Sequence, residues 1–172
     1  MELVSKPNSY APVVTPDGNV VFLLDQLGIQ APWIVSIDGG SPTEIAHVFA
    51  MSVDVSPDGR SIVFRSRNEQ NRVITMICDL PACRMPRTLP PLGQPSPLRW
   101  TPDGSLAYVP VANPSNPSNI WVQPLDGAKP HQLTNFADRT IVDFAWSRDG
   151  KRLAIARAST TNDIVLFKGL KK

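Results

Sequence analysis

The sequence predicts an all-β fold: a β-propeller of about four four-stranded antiparallel blades, as an open arc or a small closed ring. Three observations carry this. A four-residue turn recurs as Thr15-Pro16-Asp17-Gly18, Ser56-Pro57-Asp58-Gly59, Thr101-Pro102-Asp103-Gly104 and Ser147-Arg148-Asp149-Gly150. Its glycines stand 41, 45 and 46 residues apart, the spacing of a repeat protein with one supersecondary unit per repeat. The turns lie between short β-branched and aromatic runs, and no apolar stripe of helical period and length occurs.

The turn comes first. Asp followed by Gly between apolar runs is a hairpin signal, because Gly takes positive φ without a Cβ clash and Asp bonds the backbone beyond it. Proline at the second position presets φ. The Ser or Thr that opens each turn has a hydroxyl to tie to the same turn. A bulky apolar residue precedes it each time, Val14, Val55, Trp100 or Trp146, which reads as the last inward side chain of a first strand. Asp17, Gly18, Asp58, Gly59, Asp103, Gly104, Asp149 and Gly150 are therefore structural turn residues.

The second strand carries Val20-Val21-Phe22, Ile62-Val63-Phe64, Leu106-Ala107-Tyr108 and Leu153-Ala154-Ile155. Its middle residue is small or β-branched each time, which suits a crowded contact between sheets. A third strand follows at Trp33 to Ile37, Val73 to Cys78, Ile120 to Leu125 and Ile164 to Phe167. It ends at Asp38-Gly39-Gly40, Asp126-Gly127 and Lys168-Gly169. A short fourth strand covers Glu44-Ile45-Ala46, Thr88-Leu89-Pro90 and Gln132-Leu133-Thr134. Four strands at this period describe a propeller blade. The blades fall at about 10–47, 51–90, 96–135 and 140–170, with a strand at 1–6 (Glu2-Leu3-Val4) matching a fourth strand.

The stretch Trp146 to Ala154 reads W-S-x-D-G-K-x-L-A and is followed by an N-D-I-V-L strand; Asn119 to Thr134 reads N-I-W-V-Q-P-L-D-G-A-x-P-x-Q-L-T. On these residues the chain resembles the WD-repeat-like blades of the TolB propeller family, over nearly its whole length. The resemblance implies a bacterial propeller but no single function, since such blades occur in periplasmic TolB, in peptidase propellers and in sensor-like propellers. Propellers of this type have more than four blades, which implies an arc from a longer protein.

Net charge is only +2, with scattered basic residues, so nucleic acid is not an expected partner. Lys168, Lys171 and Lys172 read as a solvated basic end. No stretch approaches 18 consecutive apolar residues, so no membrane insertion is expected, and no signal peptide is read at Met1.

Cys78 and Cys83 are the only cysteines. They flank a hairpin loop where the second repeat lacks its Asp-Gly turn. The spacing fits a cross-hairpin disulfide in an oxidising, extracytoplasmic compartment; the alternative is two free thiols at a loop edge, which leaves a cytoplasmic location open. A zinc site is not expected, because no second cysteine pair exists and His47 and His131 lie in other blades.

No nucleophile elbow, zinc-protease helix, phosphate loop or calcium loop is present. His47 and His131 belong to or adjoin fourth strands, at outer edges. Asp54 and Asp143 sit within first strands, where they face the channel or serve as hydrogen-bonded structure. No catalytic residue, metal or cofactor is expected. The reading is a non-enzymatic binding or scaffold module that takes a protein partner or small ligand at loop faces. Arg65, Arg67 and Arg157, placed in loops between second and third strands, are the candidate contacts for an acidic partner, against a solvated-surface role. Association through open blade edges is a further expectation. The rival reading is the substrate-gating propeller of a prolyl-oligopeptidase-type serine peptidase without its catalytic domain.

Overall fold

The computed structural model describes residues 8–92, 97–110, 117–147 and 149–159. All the regular structure among them is β. The first sheet holds β1 (Ser9–Val14), β2 (Asn19–Gln26), β3 (Ile29–Ser36) and β4 (Thr43–Glu44). The second holds β5 (Ser52–Val55), β6 (Ser61–Arg67), β7 (Val73–Asp79) and β8 (Arg87–Thr88). The third holds β9 (Leu98–Trp100), β10 (Leu106–Tyr108), β11 (Trp121–Gln123) and β12 (His131–Gln132). Two strands of a fourth, β13 (Thr140–Trp146) and β14 (Leu153–Ala158), pair antiparallel. Strands in the three complete sheets pair in sequence order, so each sheet is a simple meander. The expected strands at Glu2-Leu3-Val4 and Ile164 to Phe167, and the turn at Lys168-Gly169, lie outside the described residues.

The repeated turn is built as its chemistry dictates. The glycine N–H donates to the carbonyl of the opening Ser or Thr in all four copies, at 2.8–3.1 Å. The opening hydroxyl donates to the turn carboxylate: Thr15 to Asp17, Ser56 to Asp58, Thr101 to Asp103 and Ser147 to Asp149. That hydroxyl oxygen also accepts an N–H just beyond the turn, from Asn19, the first residue past it, at 2.8 Å, and from Ser61 and Arg152, the second residues past theirs, at 2.9 and 3.0 Å. The backbone donors of a tight turn are thus satisfied locally.

The core runs between sheets rather than inside one. Alternation along each second strand sends neighbouring side chains to opposite faces. Ile62 and Phe64 of β6, both fully buried, pack back onto Val21 and Leu23 of β2. Val63 between them faces forward, to Leu98, Trp100, Leu106 and Tyr108. Ala107 and Val109 repeat the pattern towards Ile141 and Phe144. Each such large side chain contributes about 1.5–3 kcal/mol on burial. Contacts between sheets include β5 with β1, β2 and β9, so the first strands form the near edge of a propeller arc.

Two expectations change here. Val14 is 61% exposed rather than inward. Its equivalents Val55, Trp100 and Trp146 pack back onto the preceding sheet; Val14 belongs to the first sheet and has no preceding sheet among the described residues. Trp146 is only half-buried. It packs against the third cluster and meets Phe144 edge-on at 5.5 Å.

Candidate binding cleft on the inner strands

The first strands of the second and third sheets alternate strictly. In β5, Val53 and Val55 are buried while Ser52 and Asp54 face away from that core; in β9, Leu98 and Trp100 are buried and Arg99 is not. Asp54 and Arg99, together with Asp143, which is exposed in β13 past its bulge and reaches Arg99, form a charged row across three consecutive sheets. Asp54 Oδ2 accepts the backbone N–H of Trp100 at 2.9 Å, and its carbonyl accepts the Trp100 indole N–H at 3.3 Å. Arg99 Nη2 reaches Asp143 Oδ1 at 3.3 Å. These bonds tie the second sheet to the third and the third to the fourth.

Electrostatics follow from burial. Desolvation raises the Asp54 pKa above the ordinary aspartate value, against the opposing pull of the Trp100 N–H and the Arg99 charge. Burial, with the nearby Arg99 charge, lowers that of Arg65. A cleft of about 470 Å³ opens beside this edge, and Asp54, Arg99, Trp100, Trp146, Pro57 and Asp149 are among its walls. Apolar rings with a few convergent charges are the make-up of a recognition site.

The loop arginines of the sequence reading lie elsewhere. Arg65 and Arg67 are in strand β6, not in a loop, because β6 continues to Arg67 in register with Val73. Arg65 is half-buried and its Nε donates to Ser52 Oγ at 3.0 Å. Arg67 is exposed and donates to the Asn71 carbonyl at 3.0 Å. Arg157 lies in β14; its guanidinium binds the Asp138 carboxylate and stacks 3.9 Å over the Phe136 ring. The structure does not bring the three together. Arg99, which sequence reasoning passed over, stands two residues before its turn as Asp54 stands before its own. Aligning the repeats by their turns places these opposite charges on neighbouring strands.

Cys78 and Cys83 are joined as a disulfide, with Cα atoms 5.3 Å apart. His47 pairs with Glu44 at 2.9 Å on the surface, and His131 is exposed in β12. Among the described residues neither histidine bonds a serine, threonine or cysteine, and no group of three metal-ligating side chains occurs.

Neither a family model nor a curated protein matches the sequence. Solved structures do. TolB from Acinetobacter baumannii superposes with a TM-score of 0.76 at 21% identity, over 93% of this chain and 41% of that one. The fold is that of a TolB-like β-propeller. A second such protein, a TolB from Agrobacterium tumefaciens described as putative, matches at a TM-score of 0.72 and 16% identity, over 87% of this chain and 55% of that one. The chain thus spans between two fifths and little over half of those TolB chains. A prolyl endopeptidase matches at a TM-score of 0.61 and 17% identity, over 87% of this chain and 26% of its own. The fold recurs in a prolyl endopeptidase as well, so the site, not the fold, carries the functional reading.

Proposed function

We propose that this chain is a non-enzymatic recognition module, which holds a protein partner or small ligand against the inner edge of its arc. The observation that carries this is the cleft built jointly by three consecutive repeats around Asp54, Arg99, Trp100 and Trp146. A site assembled from rigid strands and short turns is preorganised for binding.

The test has two arms. Arg99→Glu reverses the charge in the cleft wall at a partly exposed side chain. A partner captured by the parent chain from its own cells should be lost to this variant while its circular dichroism is unchanged; equal capture sinks the cleft. Peptide and ester substrates should show no turnover. Hydrolysis that disappears with His47→Ala or His131→Ala would instead establish an enzyme. The prolyl endopeptidase match favours a second reading, a substrate-gating propeller. A hydrolase domain in the flanking coding sequence would select it.

A further inference from the structure

The second repeat departs from the others at the connection between β7 and β8. The first and third repeats turn there through Asp38-Gly39-Gly40 and Asp126-Gly127; the second uses Cys78-Asp79-Leu80-Pro81-Ala82-Cys83. Two sets of contacts carry this loop off its own sheet. The Cys83 N–H donates to the carbonyl of Ile45 at 2.9 Å, in the segment that leaves the first sheet after β4. Leu80 and Cys83 pack on the cluster that joins the first two sheets, where Cys78 itself is buried beside Ile45 and Val53. The Leu80 N–H donates to the Arg60 carbonyl at 2.8 Å, which holds the near end of the loop to the β5–β6 turn. Beyond these anchors, Pro81, Ala82 and the residues from Arg84 to Thr88 are exposed. Between Leu80 and β8 the described loop residues are therefore anchored through Cys83, by its hydrogen bond to Ile45, its packing on that cluster and its bond to Cys78.

We infer that the Cys78–Cys83 disulfide is a redox-sensitive staple, which ties the outer loop of the second sheet to β7 so that Cys83 stays seated against the first sheet, and lets a dithiol reductant loosen that joint alone. The chemistry balances. A thiolate of the reductant attacks Sγ of Cys83, the less buried of the two residues, and the S–S bond breaks with its electron pair leaving on Cys78 Sγ, which takes up a proton. The second thiolate of the reductant then displaces the Cys83 sulfur from the mixed disulfide, and that sulfur takes up the second proton. Two electrons pass to the protein and the dithiol becomes a cyclic disulfide. The opened loop regains the freedom that the closed ring removed, so the Cys83 N–H leaves Ile45 more often.

Hydrogen–deuterium exchange on the full chain tests this, in oxidised protein and in dithiothreitol. Reduction should speed exchange of the Cys83 amide at least tenfold, with a smaller rise over 44–50. The Ile141 amide, which donates to Ser118 Oγ at the joint of the third and fourth sheets, should not change. Removing the reductant under air should restore protection. Cys78→Val with Cys83→Val keeps apolar bulk at the buried position and should match the reduced protein under both conditions. Unchanged exchange at Cys83 on reduction overturns the inference, as does a double-valine variant protected like the oxidised parent. An equal rise at both joints, or wholesale unfolding on reduction, also overturns it, because the bond would then support the entire fold.

Discussion

Gly150 lies directly against Pro102: a Cβ added to the glycine would stand 2.8 Å from Pro102 Cβ and 3.0 Å from its Cγ. The same stack joins Gly59 to Pro16, whose Cδ would be 3.0 Å away. The glycine of one turn thus packs under the proline of the turn before it. Glycine is demanded twice at these positions, once by φ values of +69° and +72° and once by the neighbouring sheet. Gly104 has φ +82° but open space around it, so the demand there is conformational alone.

Gly150→Ala should therefore cost more than Gly104→Ala. Both place a Cβ in the left-handed region, at about 1–2 kcal/mol. Only Gly150→Ala also meets a proline ring, which must shift. Combining it with Pro102→Gly should recover the excess. Urea midpoints at constant slope measure all four variants; equal costs at 104 and 150 would refute the stack. Gly28, outside the repeated turn, also has positive φ, +85°, in open space. Its replacement should resemble that of Gly104.

The four turn carboxylates make stability fall in acid. Hydroxyl donors, foremost in each case, hold the carboxyls of Asp17, Asp58, Asp103 and Asp149 below the ordinary value of 3.8. The unfolded chain then takes up protons first as pH falls, so the stabilisation is present above about pH 4 and is lost below it. Asp58→Asn with Asp103→Asn should be less stable than the parent at pH 7, and the two should converge near pH 2. A gap that stays constant from pH 7 to pH 2 would show that these charges do not matter.

Much of this architecture was legible from the turns, because Asp-Gly chemistry is local and survives any tertiary context. The second strands were legible for a related reason: Val20-Val21-Phe22 and its copies are apolar runs, mostly β-branched or aromatic, that begin two or three residues after the turn glycine. The exposure of Val14 was not legible, since it depends on which sheet precedes the first. The arginines failed differently. Nothing in the local sequence says that β6 runs on through Arg67, or that Arg157 has Phe136 and Asp138 beneath it. Charge alone made them look like surface contacts. The Asp54–Arg99–Asp143 edge needed the repeats aligned and the strand faces assigned together.

Core placement separates two aromatic truncations. Phe64 is fully buried between the first two sheets, so Phe64→Ala should cost about 3–5 kcal/mol. Trp146→Ala removes a larger ring from a half-exposed position, where water already reaches part of it, and should cost less than that. Chemical denaturation of both variants ranks them. A Trp146 variant as damaged as Phe64→Ala would mean that the ring is core, as the sequence alone suggested.

Asp54 gives the sharpest electrostatic test. Burial raises its pKa above 3.8, so between that value and its folded one the native state holds more protons than the unfolded chain. Stability contributed by this group therefore falls as pH rises through that window, the reverse of the turn aspartates. Asp54→Asn keeps an oxygen that can accept the Trp100 N–H and removes the buried charge. It should be at least as stable as the parent at pH 7, with the difference shrinking in acid. Asp54→Leu leaves the Trp100 N–H without its side-chain acceptor, at about 1–3 kcal/mol. Denaturant melts at pH 7 and pH 4 distinguish the two. If Asp54→Asn were as damaging as Asp54→Leu at pH 7, the charge itself would be holding the second sheet to the third through Arg99, and the desolvation cost would be the smaller effect.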